Sequence, residues 1–351
     1  PDCDDRGKLG ELSNKLIQIL SQPYIIDDKR ATIGISIGIA ISPFDGVDKL
    51  DLIENADLAL YAAKNGGRGQ FRFYAAHFKD EAAERSLLEE GLRDALANDA
   101  LALHYQPVVR TDDNVVVAFE ALMRWDRGDG DIVPPTEFIP IAEETGTIVP
   151  LGSWALNDAL IQLRHWIDTN VVSPSTTMSV NVSPRQLHDP QFVSIVSDAL
   201  TASGIPAAPL WLEVTESVMI TEPTQALSSL RRLNALGVRI AIDDFGTGYS
   251  SLSLLQKFPI QCIKIDRAFV NDISTDSATQ NIVRTIIAMA EAMGADIVAE
   301  GVESKEQLQT LKSVKCHRAQ GYLISPPVHV QDVPRVVREI QDPEAWASNT
   351  N

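Results

Sequence analysis

Five carboxylates, one asparagine, one lysine and two glutamines each stand in, or at the end of, a short apolar run. Gln106 lies in "HYQPVV", Glu120 in "VAFEALMRW", Asn181 in "SVNVS" and Glu213 in "WLEVTES". Asp243 and Asp244 close the run that starts at 238, Lys264 lies in "CIKID", Glu300 in "VAEGVE", and Gln320 begins "QGYL". A carboxylate in a segment apolar on both alternating faces is costly unless it is paired or metal-bound. Glu120 alone would fit a structural ion pair. Five carboxylates brought to one place would repel strongly without cations among them.

The donor atoms indicate which cation. All are oxygens, and no His or Cys has zincin or zinc-finger spacing, which favours Mg²⁺ or Mn²⁺ over Zn²⁺. The consecutive Asp243 and Asp244 allow two metals at one strand end. Two metals about 3.5–4 Å apart suit in-line phosphodiester hydrolysis, where attacking and leaving oxygens both need stabilising. Lys264 then either orients or deprotonates the attacking water, or salt-bridges the carboxylates; the spacing leaves both readings open.

The elements that must carry these residues follow from the rhythm of the chain. Apolar runs at about 101–109, 115–125, 177–182, 210–215, 238–243, 261–265, 296–300 and 318–323 read as eight strands. From the second run on, each connection has room for a helix, as in "GSWALNDALIQLRHWI" and "ATQNIVRTIIAMAEAMG". This alternation predicts a (β/α)8 TIM-like barrel whose polar strand ends form the active face. Only "RTDDN" separates the first two runs, too short for a parallel crossover of about a dozen residues. They should form an antiparallel hairpin, so one barrel strand is reversed. Before the barrel, "TIGISIGIAI" (32–41) reads as a strand and "DLIENADLALYAAKNGG" as a helix ended by Gly66 and Gly67. A linker helix follows, with Leu87, Leu88, Leu92 and Leu96 on one stripe. The expected boundaries are 1–75 for an α/β first segment, 76–100 for the linker and 101–345 for the barrel.

Composition sets the outer limits. The chain has 351 residues, 44% of them apolar, and a net charge of −18. That charge argues against binding nucleic-acid polymers or anionic membranes broadly, though not against a small anion held by local arginines and metals. No run of about 18 apolar residues exists, so no membrane span is expected. Three cysteines, Cys3, Cys262 and Cys316, fit a reducing, cytoplasmic setting better than a disulfide framework. A chain opening on "PDCDDRG" reads as a fragment, so upstream domains that could tether it to a membrane are expected. "DRGDGDIVPPTE" lacks EF-hand spacing and reads as a loop; "GTGYSS" is a weak match to a phosphate loop. His104 reads as a strand residue.

"FEALMRW" resembles the signature of the EAL-domain cyclic di-GMP phosphodiesterases. The likeness continues through "YQPVV", "EFIPIAEETG", "SVNVSPRQL", "LEVTES", "IDDFGTGYSSLSLL", "IKIDRAFV", "VAEGVES" and "QGYLIS", over roughly residues 80–340. It implies cleavage of cyclic di-GMP to linear pGpG with two Mg²⁺ or Mn²⁺ ions, Ca²⁺ inhibiting, in a homodimer. By this resemblance Glu120, Asn181, Glu213, Asp243, Asp244 and Glu300 match metal ligands. Lys264 matches the catalytic lysine and Gln320 a glutamine near the metal–water centre. Glu303 matches a glutamate that holds the "DFGTGYSS" loop and couples dimerisation to metal binding. Gln106, Leu122 and Arg124 match substrate contacts; Arg124, about 13 Å along the strand from Glu120, is better placed for a phosphate than for Glu120. Ser325 and His317 depart from common family residues, and neither is an expected ligand. The first 75 residues resemble the C-terminal part of a GGDEF (diguanylate cyclase-like) domain through "TIGISIGIA" and "ADLALYAAKNGGRGQ", without the GG[DE]EF signature, so no cyclase activity is expected. Two other classes stay open: a silent cyclic di-GMP receptor, which would be expected to have lost ligands, and an enolase-type barrel, disfavoured by the Asp-Asp pair and Asn181.

Overall fold

Eight strands close into one barrel: β1 (Leu101–Arg110), β2 (Val116–Asp126), β3 (Thr177–Asn181), β4 (Leu210–Thr215), β5 (Arg239–Phe245), β6 (Cys262–Ile265), β7 (Asp296–Ala299) and β8 (Arg318–Ala319). The computed structural model describes residues 5–26, 29–98, 100–128, 130–221, 223–246, 255–342 and 346. β2 through β8 run parallel, each hydrogen-bonded to the next. β1 is antiparallel to both neighbours, β2 and β8, as the five-residue connection requires. Every strand falls within a residue or two of an apolar run, apart from the shorter β8.

Two apolar layers hold the barrel. The larger lies between its outer face and the surrounding helices. There Phe119 and Met178 pack with the helix Ile148–Asp168, whose buried stripe includes Leu156, Leu160, Leu163 and Trp166. The smaller lies inside, where Val108, Ala118, Trp211, Ala241, Cys262 and Val298 form a plug. Strand side chains alternate with period two, so the residue two positions nearer the mouth points into the same interior. For β2, β4, β5, β6 and β7 that residue is Glu120, Glu213, Asp243, Lys264 or Glu300. On the reversed β1 the count runs backward, from Val108 to Gln106. Ser179 and Arg318 line the lower interior of β3 and β8, which leads to Asn181 and Gln320. The polar layer at the mouth is thus the next storey above an apolar plug.

The chain divides into two units, Pro1–Glu90 and Gly91–Asn351. In the first, Ile37–Ile39 pairs in parallel with Phe71–Phe73, and the helix Lys49–Asn65 packs on this pair. The strand is shorter than the apolar run at 32–41 because its ladder extends only as far as its three-residue partner. The linker helix spans His77–Ala95. Leu88 and Leu92 are buried, but Leu87 is 63% exposed, so it lies off the apolar stripe. Among the described residues no helix is long and apolar enough to cross a membrane, and the two described cysteines, Cys262 and Cys316, are buried free thiols.

Candidate active site

Lys264 is the hub of the mouth. Its Nζ lies 2.5 Å from Glu213 Oε2, 2.7 Å from Glu300 Oε1, 3.1 Å from Asp243 Oδ1 and 3.2 Å from Glu120 Oε2. Glu120 is held on three sides. Asn181 Nδ2 donates to its Oε1 at 2.8 Å, and Gln320 Nε2 donates to its Oε2 at 2.7 Å. The same Gln320 nitrogen donates to Gln106 Oε1 at 2.8 Å, and Gln106 Nε2 donates to the Ser325 carbonyl at 3.0 Å. Gln106 stands directly opposite Glu120 on the hairpin, and Asn181 opposite Glu213 across β3 and β4.

The Asp pair needs a local break in the sheet. In a regular strand Asp243 and Asp244 would point to opposite faces. Ile242 pairs with Ile263 and Phe245 with Ile265, so three steps along β5 match two along β6. The extra residue is a β-bulge, and Asp244 takes a left-handed backbone with φ +53°, which Asp tolerates better than most side chains. As a result Asp243, Asp244 and Glu300 each offer an oxygen within 4.8 Å of one another. Asp243 Oδ1 is buried and near Lys264 without forming a hydrogen bond. Acceptor-only oxygens so gathered fit a hard divalent cation.

Electrostatics divides the carboxylates. Burial opposes ionisation of Glu120, but Lys264 and the hydrogen bonds from Gln320 and Asn181 outweigh it and hold its carboxyl below the usual range. Burial, then the Glu120 charge, pushes Glu213 well above its ordinary value. Burial pushes Glu300 up to about 8, aided by Asp243 and Glu120 against the pull of Lys264. Burial, Asp243 and Asp266 bring Asp244 to about 6. Burial works against the Lys264 charge, yet the four surrounding carboxylates keep the ammonium protonated.

A cleft of about 450 Å³ opens beside the cluster, lined by Asn181, Glu213, Asp243 and Asp244 on one side and by Leu122 and Arg124 on another. Arg124 is half-buried there and donates from NH1 to the Met123 carbonyl at 2.8 Å. Nine of the sequence-predicted residues therefore meet at the mouth, and Leu122 and Arg124 line its cleft. Glu303 stands apart: its side chain is exposed and its backbone N–H donates to Gln307 Oε1 at 2.7 Å. Most of the "DFGTGYSS" loop it is expected to hold, residues 247–251, lies outside the described residues. The carboxylate placed at the start of that loop is Glu216, buried, accepting from the Gly246 N–H at 3.1 Å. Neither Glu216 nor Asp266, which hydrogen-bonds Asp244, was singled out from sequence. Their signals were present: Asp266 lies two residues from Lys264, and Glu216 is a second acidic residue in "LEVTES".

A closed (β/α)8 barrel with one reversed strand and a lysine-centred acidic mouth defines the class. The chain belongs to the EAL domain family, whose model matches residues 89–327. The model of the diguanylate cyclase, GGDEF domain matches residues 1–70. The chain is 39% identical over 322 residues to the bifunctional diguanylate cyclase/cyclic di-GMP phosphodiesterase MucR of Pseudomonas aeruginosa, covering 92% of this chain and 47% of that protein. It is 38% identical over 320 residues to the cyclic di-GMP phosphodiesterase PdeR of Escherichia coli, covering 91% and 48%. The chain thus spans about half the length of these relatives. The PaMucR phosphodiesterase in complex with c-di-GMP superposes with a TM-score of 0.67 at 38% identity, over 70% of this chain and 99% of that one.

Proposed function

We propose that the barrel hydrolyses cyclic di-GMP to linear 5′-pGpG with Mg²⁺ or Mn²⁺, two ions per site. The observation that carries this reading is the polar layer itself: each of the eight strands ends at one mouth with a carboxylate, the asparagine, the lysine or a glutamine, and every residue expected as a ligand is among them. Glu120, Asn181, Glu213, Asp243, Asp244 and Glu300 would hold the metals. When bound, they supply a nucleophilic water at neutral pH and neutralise charge on the phosphate.

The protein's own groups do the rest. Lys264 keeps its proton, which supports orienting the water and steadying the developing negative charge over acting as base. Gln320 and Asn181 fix the Glu120 carboxylate. Arg124 meets a phosphate oxygen, and the apolar cleft receives a base. In the net reaction water oxygen adds to phosphorus, the P–O3′ bond breaks, and the 3′ oxygen leaves as a hydroxyl. The GGDEF-like segment takes no part in synthesis, and the active form in this reading is a cytoplasmic homodimer.

Incubating the purified chain with cyclic di-GMP and Mg²⁺, Mn²⁺, Ca²⁺ or excess EDTA, with products separated by chromatography, tests this. pGpG should form with Mg²⁺ or Mn²⁺ and very little with Ca²⁺, which is larger and less strict in geometry. Full turnover in EDTA would rule out the metal mechanism. Binding without cleavage under every metal would favour a silent receptor.

A further inference from the structure

We propose that Glu143 reads a guanine base of the bound cyclic dinucleotide by accepting its N1–H and 2-amino N–H together. The assignment rests on the phosphodiesterase reading above. Glu143 is half-buried and lines the same cleft as Arg124, Asn181 and Asp244. Around it the wall is apolar, made by Pro135, Ile139, Ile148, Ala155 and Pro184. Burial alone pushes its carboxyl above the ordinary range. Of the carboxylates on this cleft, it is the one outside the acidic cluster.

Its backbone is fixed where the residue lines the cleft. Glu143 lies in the last turn of the helix Pro135–Thr145, which ends at Gly146 in a left-handed conformation with φ +87°. Arg185 NH1 donates to the carbonyls of Glu143 at 2.6 Å and Glu144 at 3.0 Å, a cation capping the helix C-terminus. The left-handed backbone at Gly146 favours glycine, and a Cβ there would also lie 2.9 Å from the Arg185 guanidinium. Arg185 is a positioning residue, spent on backbone oxygens.

The chemistry selects the ligand edge. A carboxylate is acceptor-only and pairs best with two adjacent donors, each bond charge-assisted. Guanine offers that pair on its N1 and N2 edge. Adenine, cytosine and uracil mix donors with acceptors along theirs. The flat apolar walls suit the faces of the ring.

The test uses the full chain with Mg²⁺, as wild type, Glu143→Ala and Glu143→Gln. The substrates are cyclic di-GMP, cyclic di-IMP (which lacks the 2-amino groups) and bis(p-nitrophenyl) phosphate, which has no base. Wild type should prefer cyclic di-GMP to cyclic di-IMP. Glu143→Ala should lower kcat/KM on cyclic di-GMP by about tenfold or more, chiefly through KM, and erase that preference, as loss of a charged hydrogen-bond pair predicts. The loss on bis(p-nitrophenyl) phosphate should be much smaller, and Glu143→Gln should fall between. An unchanged preference in Glu143→Ala, or equal losses on all three substrates, overturns the assignment while the phosphodiesterase reading stands. Wild type that leaves cyclic di-GMP intact overturns both.

Discussion

Lys264 Nζ and Glu213 Oε2 lie 2.5 Å apart, and each side chain is 3% exposed. The pair is sealed above the apolar plug, and three further carboxylates share the same ammonium. One cation therefore faces four of the five carboxylates at the mouth. Removing it should cost stability.

Lys264→Met keeps the length and removes the charge. Breaking a buried ion pair costs about 3–5 kcal/mol, so the variant in EDTA should melt well below wild type. The carboxylates then repel unrelieved and hold protons more tightly than in the unfolded chain. Stability should fall as pH rises, so the gap from wild type should be wider at pH 8.5 than at pH 6. Thermal unfolding at the two pH values measures this. A melting temperature equal to wild type at both would contradict the hub role.

Metal binding should depend on pH in the opposite sense. Asp244 at about 6 and Glu300 at about 8 lie above their ordinary values, so metal must displace protons from them. Mg²⁺ affinity should rise with pH through this window. For the metal-free fold the contribution of a raised carboxyl is fully present below its unfolded pKa, near 4, and is lost as pH rises through the folded value. Metal-free protein should thus lose stability between about pH 4 and 8, while the stabilisation by Mg²⁺ grows. Titration calorimetry and melting curves with Mg²⁺ or EDTA give both slopes. Affinity independent of pH from 6 to 8.5 would refute the proton competition.

Glu120→Gln separates ligand from scaffold. Glu120 accepts from Asn181, Gln320 and Lys264, and an amide can satisfy only part of that set. In EDTA the cost should be about 1–3 kcal/mol, less than a broken ion pair because Lys264 keeps Glu213, Asp243 and Glu300. Turnover should fall by at least about a hundredfold, corresponding to roughly 3 kcal/mol in the transition state. A variant that stays folded and turns over at the wild-type rate would remove Glu120 from the ligand set.

Gly321→Ala probes how Gln320 is held. A Cβ there would lie 2.1 Å from Val302 N and 2.2 Å from Val302 O. Val302 N also donates to the Gln320 carbonyl at 3.0 Å. The added methyl must push the β8 segment away, costing about 1–3 kcal/mol and shifting the Gln320 amide from Glu120. Melting temperature and turnover should drop together. No change in either would mean the segment relaxes freely.

The strands and most of the mouth were legible because each strand carries a polar residue near its mouth end among apolar neighbours, and period-two alternation fixes its face. The short "RTDDN" connection sufficed to reverse β1. The convergence of Asp243 and Asp244 needed a bulge and a left-handed residue, which strand periodicity does not contain. Glu143 was hidden for another reason: on an amphipathic helix a half-buried glutamate looks like any surface one, and only the assembled cleft shows apolar walls around it. Leu87 failed because a leucine beside Leu88 sits about 100° around the helix, off the stripe.

The reversed β1 also changes how the barrel is plumbed into its own chain. In an ordinary barrel of parallel strands the first strand starts at the floor, away from the chemistry. Here Leu101 starts level with Trp125 and Ala102 with Arg124, so the polypeptide arrives at the rim and descends past His104 to Gln106. The residues just before it are already there, since a Cβ on Gly91 would lie 3.2 Å from the Trp125 ring. Tension or torque applied to the incoming chain is therefore delivered beside the cleft at the mouth, and the floor of the barrel is the part it reaches last.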